Sequence, residues 1–490
     1  MKLTRRAALL GAGVAIGAYG ARAVLPQNPP LTGAGLIVPA SGDGILNDAS
    51  LLSETPIFRH SVIKALPGDG LVTALRAELA AAKSDGRAVN IGAARHSMGG
   101  HAIPRGGHAI TFDFPFVSVE TGSDVYTVQA GTRWRNVISA LDPMGLAPKV
   151  MQSNNDFGVA STFSVNAHGW ATAHGPMGST VRLVKMVLAD GSVVTASHDE
   201  NPALFAAAMG GYGLIGLITE LEVEHAPNQL LEPAFQTMPA ADFAAAFTTA
   251  VKAVPMAYGR LNVDRDGFFD DALMVTYTPI AGDIPAASGS GLLSRVSRHL
   301  FRAQLGDDWV KRRRWGIETG IGASVTGPST RNTLFNEPVI TLDDRDDTRT
   351  DILHEYFVSP DRFNDFLTAC RAIIPASYQE LLNITLRWVE QDTTSLLSYA
   401  PNGPRIASVL LFSQEMTQRA EADMARMTQS LIEATLAIGG SYYLPYRPHA
   451  TSAQFQRSYP RAAEFAALKR QIDPDLRLRN AFWDRYLATL

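Results

Sequence analysis

The chain is short of cysteine and has no surplus of charge. Its one cysteine, Cys370, excludes a disulfide within the chain. Its 43 basic and 47 acidic residues leave a net charge of -4. That balance lacks the concentrated positive surface which nucleic-acid binding needs for counterion release, so a nucleic-acid partner is not expected. The marked apolar run at the N-terminus, Ala7 to Tyr19, falls short of the ~20 residues that cross a bilayer. Stable membrane insertion is therefore not expected either. Glycines Gly11, Gly13 and Gly17 lie inside that same run. A dinucleotide fingerprint must instead follow a strand and open a helix in a βαβ unit, which argues against a nicotinamide dehydrogenase. No internal repeat or low-complexity tract stands out.

What is present is a large and apolar chain. With 490 residues, 46% of them hydrophobic, it can build two packed cores, and two domains are expected. Residues 1–23 read as an export signal, possibly of the twin-arginine kind: Lys2, Arg5 and Arg6, then the apolar run, then Ala21-Arg22-Ala23 as a cleavage site. The expected location is the bacterial periplasm or outside the cell. Residues 24–57, rich in Pro, Gly and Ser, read as a linker.

From residue 58 to 227 short apolar runs alternate with helical stretches, and the expected class is α+β. Helices are predicted over Leu71–Lys83 and Trp134–Leu141, and strands over Ala88–Ile91 and Tyr126–Ala130. Val181–Leu188 and Ser192–Ala196 read as a hairpin about Asp190-Gly191, and Leu214–Val223 as a buried strand. Residues 228–440 form a second α+β unit, with an irregular insertion at Ala281–Gly291 and a long helix over Gln414–Ile438. Residues 441–490 form a tail with a helix over Arg461–Ile472. Cys370 sits in an amphipathic pattern, Phe363 to Ile374, as a small core residue. The basic run Lys311 to Arg314 reads as a solvated face, and His101 and His108 as surface or loop histidines.

Three segments carry the chemistry. Ile91-Gly92-Ala93-Ala94-Arg95-His96-Ser97-Met98-Gly99-Gly100-His101 is a small-residue loop directly after a strand, and such a loop lets backbone N–H groups close on an anion. Phe157 to Trp170 offers hydroxyls, an amide and unobstructed backbone. Gly210-Gly211-Tyr212-Gly213 leads a glycine turn into a buried strand. One such segment is an ordinary tight connection, but three in one domain are hard to explain as turns.

In order and spacing these segments resemble the vanillyl-alcohol oxidase, or p-cresol methylhydroxylase (PCMH), type of FAD-binding flavoprotein. The resemblance runs from His60 to about Pro227 and returns over Tyr442–Leu490. It implies a two-domain PCMH-type fold: an FAD-binding domain at 58–227, a separate α+β substrate (cap) domain at 228–440, and a C-terminal segment at 441–490 that returns to the FAD domain. It also implies that Ala94, Arg95, His96, Ser97, Met98, Gly99 and Gly100 wrap the FAD pyrophosphate. His96 takes the place of the histidine that joins the flavin 8α-methyl carbon, or else hydrogen-bonds a phosphate. A neutral imidazole is a competent nucleophile for such a bond. Ser161, Thr162, Ala167, His168 and Gly169 follow the isoalloxazine and pyrophosphate by the same resemblance, with a packing role as the plain alternative for His168, and Ile218 meets the adenine end. The chain departs from the family at Ala160-Ser161, where many relatives have Gly-Gly.

The strand Asn383–Glu390 is similar to one that lines the flavin in alditol and aldonolactone oxidases, where an arginine and a glutamate two residues apart bind substrate hydroxyls. Arg387 matches the arginine, Thr385 stands in place of the glutamate, and Glu390 points to the opposite face of a regular strand. The tail segment Tyr443-Leu444-Pro445-Tyr446 is similar to cytokinin dehydrogenases. On that resemblance Asp156 is a candidate base, and Arg447 and His449 are further candidates near the closing tail. His449 has a plain alternative as a satisfied loop histidine. The expected activity is hydride transfer from a small-molecule CH–OH donor to FAD, with dioxygen or another electron acceptor as the second partner. The alternatives are a CH–NH donor and a flavin-fold protein that binds without turnover.

Overall fold

A computed structural model describes residues 35–40, 42–64, 68–289, 301–322, 326–339 and 348–490. The export signal at 1–23, the first part of the 24–57 linker and the end of the Ala281–Gly291 insertion lie outside the described residues. Among the described residues no helix is long and apolar enough to cross a membrane.

The N-terminal half is built on two main sheets, preceded by a two-stranded pair of Ile45–Leu46 and Thr55–Pro56. In the smaller one His108–Phe112 pairs in parallel with Arg59–Ile63 on one side and with Val89–Ile91 on the other. A parallel pair needs a crossover, and helix Asp69–Ser84 supplies it, burying Leu71, Leu75, Leu79 and Ala82 at three- and four-residue spacing. The larger sheet runs in the order Val193–Ser197, Val181–Val187, Leu217–Pro227, Val125–Gln129, Val117–Val119, with Leu146–Pro148 paired beside Leu217–Pro227. The predicted hairpin is present, with Val193 opposite Val187 and Gly191 at φ 87.

The second half is one antiparallel sheet in the order Ser329–Thr330, Leu230–Pro239, Asp271–Pro279, Met256–Leu261, Glu380–Val389, Arg405–Glu415, Arg349–Val358, Ser441–Tyr442. Its connectivity repeats. A strand, a helix and two strands (Leu230–Pro239, Ala240–Ala250, Met256–Leu261, Asp271–Pro279) recur as Arg349–Val358, Phe363–Ile373, Glu380–Val389 and Arg405–Glu415. The two units join where Arg260 pairs with Thr385 and Gly259 with Leu386.

Because side chains alternate across a strand, this sheet has two unlike faces. Trp388 meets Phe247 of one helix and Tyr356 meets Phe366 of another. The long helix Gln418–Ala437 covers the same face, where its Thr428 meets His354 at 3.1 Å. The odd-numbered positions on strands Arg349–Val358, Glu380–Val389 and Arg405–Glu415 turn the other way. Buried apolar side chains form one continuous cluster through both halves, with a small satellite of Ile57, Ile103 and Ala109.

Several local expectations need correction. The long helix starts at Gln418 rather than Gln414, because Gln414 is paired with Thr350 in the sheet and Thr417 caps the helix by accepting from Ala420 N. The strand after the third glycine segment starts at Leu217, since Leu214 N closes a turn onto Gly211 O. His108 is not superficial: it is fully buried in the central parallel strand, between Glu78 and Asp85 at 3.1 Å each. His101 is also buried, and burial pulls its pKa down to about 3. The run Lys311 to Arg314 is not a solvated face. Lys311 is buried against Glu380 at 2.9 Å and Arg314 turns inward, while Arg312 reaches Asp266 at the surface. Cys370 is a core residue whose thiol pKa burial pushes up.

The tail closes back on the N-terminal half. Val89 N donates to Arg477 O at 2.7 Å and Arg479 N to Val89 O at 3.1 Å. The turn that makes this possible is held by Asp473, which accepts from Arg477 N and Leu478 N at 2.8 Å each and pairs with the fully buried Lys469. Asp473→Asn leaves that ammonium buried and without its counter-charge, so stability falls by about 3–5 kcal/mol. Urea unfolding followed by fluorescence measures this, and an unchanged midpoint excludes the pair as a determinant of stability.

Candidate active site

The three small-residue segments come together at the mouths of the N-terminal sheets. Strand Val89–Ile91 runs directly into the first, and Gly92 N still donates to Ile110 O at 2.9 Å. The second forms the short helix Val159–Ser164, and the third hydrogen-bonds to it through Gly210 N to Phe163 O and Tyr212 N to Ser164 O. Each segment holds one non-glycine residue in the left-handed region: Arg95 at φ 53, Asn166 at φ 46 and Tyr212 at φ 54. Such a conformation costs about 1–3 kcal/mol per residue and gathers where a fold positions a ligand.

Between these segments and the odd-numbered face of the eight-stranded sheet lies a cavity of about 760 Å³, within the size range of cofactor and substrate sites. Ala94, Arg95, His96, Ser97 and Met98 line it from the first segment; Ser161, Thr162, Ala167 and His168 from the second; Ile218 from the third; and Arg387 from the sheet. His96 packs on Phe157 with ring centroids 4.3 Å apart. Arg95 is held deep by the first segment, burial pushes its pKa down to about 10, and its Nε and Nη2 have no hydrogen-bond partner among the described residues. An unpaired buried guanidinium is expensive unless an anion completes it. A cavity of this size walled by three unobstructed backbone segments, with that cation among them, fits a dinucleotide with its pyrophosphate.

Six predicted residues stand elsewhere. Gly99, Gly100 and Gly169 do not line the cavity, and close packing accounts for them. A Cβ on Gly99 would lie 2.9 Å from Tyr446 O, one on Gly169 would lie 1.9 Å from Met151 O, and Gly100 N donates to Asp48 Oδ2 at 2.8 Å. Asp156 is also outside the lining and accepts from Val339 N at 3.0 Å. His449 belongs to a separate buried network with Glu421 at 2.9 Å and Thr428 at 3.2 Å. Arg447 is outside the lining too and joins Glu421 to Met98 O and Ser53. The structure thus gives His449 the satisfied surroundings of its plain alternative.

The residue that sequence reasoning missed is Glu355. It lies in the cavity wall, 3% exposed. Its carboxylate pairs with His168 Nε2 and accepts from the Tyr446 hydroxyl at 3.2 Å, while its backbone O accepts from Tyr443 N at 3.0 Å. Asp351, Leu353 and Glu355 share the cavity face with Asn383, Thr385 and Arg387. Strand alternation was the signal available, but Arg349–Val358 is covered on both faces and its polar residues fall on both, Thr350 and His354 on one and Asp351 and Glu355 on the other, so no alternation shows. Arg387 lies deep, and burial pushes its pKa down against the pull of Glu355. Glu390 does point away, accepting from Trp388 Nε1 at 2.7 Å.

A buried carboxylate, an imidazole and a phenol in contact can take up and pass on a proton, and the nearby arginine can hold an oxygen or negative charge. Comparison with known proteins agrees with the cofactor that the loops fit. The family described as FAD binding domain matches residues 72–197. The chain is similar to a putative D-arabinono-1,4-lactone oxidase of Neurospora crassa, 33% identical over 111 residues, which are 23% of this chain and 20% of that one. Cytokinin dehydrogenase 4 of Oryza sativa subsp. japonica is 38% identical over 103 residues, 20% of each chain. Cytokinin dehydrogenase 8 of Oryza sativa subsp. indica is 31% identical over 198 residues, 38% of this chain and 36% of that one. The aligned stretch thus covers no more than 36% of any of these three relatives. The match places an FAD binding domain over residues 72–197, a stretch that holds the first two of the three small-residue segments.

Proposed function

We propose that the protein is an FAD-dependent oxidoreductase that takes a hydride from a small-molecule CH–OH donor, with dioxygen or another acceptor restoring the oxidised cofactor. The observation that carries this reading is the pairing of two unlike walls on one cavity. One wall has backbone loops and the unpaired Arg95, and the other has Glu355, His168, Tyr446 and Arg387. The first wall would hold FAD through the backbone of Ala93 to Met98, Ser161 to Ala167 and Gly213 to Ile218, with Arg95 on the pyrophosphate. Bound FAD supplies a two-electron acceptor for the hydride.

The chain's own residues handle the proton. The substrate hydroxyl gives its proton to the Tyr446 oxygen as Tyr446 gives its own to Glu355 Oε2, and His168 holds that carboxylate in place from the other side. Arg387 binds a substrate oxygen and stabilises negative charge that develops nearby. His96 carries the covalent 8α-histidyl attachment, which its place in the first segment supports. A CH–NH donor is the second reading, favoured by the longer match to cytokinin dehydrogenase 8.

Two experiments test this. After acid precipitation, yellow colour stays with the wild-type pellet and is released from His96→Ala. Colour released from both removes the covalent bond, and folded protein with no flavin at all overturns the oxidoreductase reading. Glu355→Gln keeps the shape and loses the basicity, so flavin reduction by substrate in stopped flow slows by about 10²- to 10⁴-fold while flavin content stays as in wild type. Reduction at the wild-type rate takes Glu355 out of the mechanism.

A further inference from the structure

The sheet wall of the cavity carries more positive charge than its own carboxylates neutralise. Arg260 and Arg314 share one carboxylate, Glu318, at 2.8 and 3.4 Å. Both also donate to Asn383 Oδ1, at 2.6 and 3.3 Å. The other two acids on this wall are already engaged, Asp351 by Arg302 at 2.7 Å and Glu355 by His168 and Tyr446. Arg387 follows Asn383 and Thr385 on the same face of the strand. Its Nε has no hydrogen-bond partner, and no ion pair reaches it among the described residues.

Arg260 and Arg387 stand on adjacent strands with only Thr385 between them, because Arg260 is the cross-strand partner of Thr385. The two guanidiniums repel, and burial sharpens the repulsion by removing solvent screening. A buried cation without an ion-pair partner is strongly destabilising. The group that best relieves a guanidinium is a planar two-oxygen acceptor that takes both N–H bonds of its fork. Arg95 lies on the loop wall, where it would be met by the cofactor's pyrophosphate.

We propose that the substrate is a hydroxylated carboxylic acid whose carboxylate is clamped by Arg387 and Arg260, with Thr385 between them and Asn383 beside it facing its hydroxyls. This rests on the oxidoreductase reading above and adds the charge of the substrate to it. A neutral alcohol of the same length leaves Arg387 without an ion-pair partner and binds more weakly.

The test uses purified holoprotein and matched pairs that differ only in a carboxylate against a CH₂OH group: gluconate and glucitol, glycerate and glycerol, lactate and propane-1,2-diol. Binding is read from the shift in thermal unfolding and from perturbation of the visible flavin band. The acids are expected to bind more tightly than their alcohols by about tenfold or more. Arg387→Gln and Arg260→Gln each abolish the difference without changing flavin content, and Arg387→Lys keeps part of it. Either variant reads the same wall should the other fail to fold. Acids that bind no better than their alcohols across the series overturn the proposal, as does an advantage that survives Arg387→Gln. Protein that favours the acids but holds no flavin keeps the anion site and overturns the oxidoreductase reading instead.

Discussion

A carboxylate taken out of water has to be met by partners, and Glu355 is met from three directions. A buried carboxylate without partners costs several kcal/mol. The second loop answers with His168, the tail answers with Tyr446, and the tail backbone at Tyr443 anchors the same residue's carbonyl. The strand that carries Glu355 is fixed by pairing with Arg405–Glu415. Loop, tail and sheet therefore have to assemble together around one charge. The tail does more than cover the site: Tyr443 donates to Val165 O at 2.8 Å and Pro445 accepts from Met98 N at 2.7 Å, so it ties the first loop to the second.

The other organising constraint is the pleat. One face of the eight-stranded sheet is spent on aromatic and aliphatic packing against three helices, which leaves the opposite face free to carry polar groups at every second position. The two β-α-β-β units meet through Met256–Leu261 and Glu380–Val389. Residues from both units then converge at the seam, Arg260 from one and Thr385 and Arg387 from the other. Such a seam brings side chains far apart in sequence within reach of one ligand, on strands rigid enough to fix their spacing.

The legible parts of the sequence were those decided locally. Leucines at helical spacing gave Asp69–Ser84, the Asp190-Gly191 turn gave its hairpin, and small residues after a strand gave the loop that holds Arg95 and His96. The repeat was hidden because its copies occupy different places in the sheet. Leu230–Pro239 is largely open on one side, whereas Arg349–Val358 is covered on both, so equivalent strands carry unlike patterns. Charges were misread for a related reason. Lys311 and His108 look like surface residues until Glu380, Glu78 and Asp85 arrive from elsewhere in the chain. Glu355 was missed in the same way, since nothing within a few residues of it in sequence announces His168 or Tyr446. Asp156 and His449 were picked by nearness to recognisable segments, and nearness in sequence does not say which way a side chain turns.

The two walls differ in what they can change. The loop wall works mainly through backbone, with Arg95, Asn166 and Tyr212 held in left-handed conformations and with glycines where carbonyls approach closely. Most substitutions there disturb the main chain itself, so this wall can serve only a ligand whose shape is fixed, as a cofactor's is. The sheet wall works through long side chains on a scaffold already held by its strand pairing and by the helices behind it. Exchanging Asn383, Thr385 or Arg260 leaves the strand pairing and the helix-facing core untouched, while the charge presented to the cavity changes. A fold divided in this way can keep one cofactor and alter its substrate by a few residues on alternate strand positions. The place to look for what sets this chain's substrate is therefore the seam between Arg260 and Arg387, and not the loop wall.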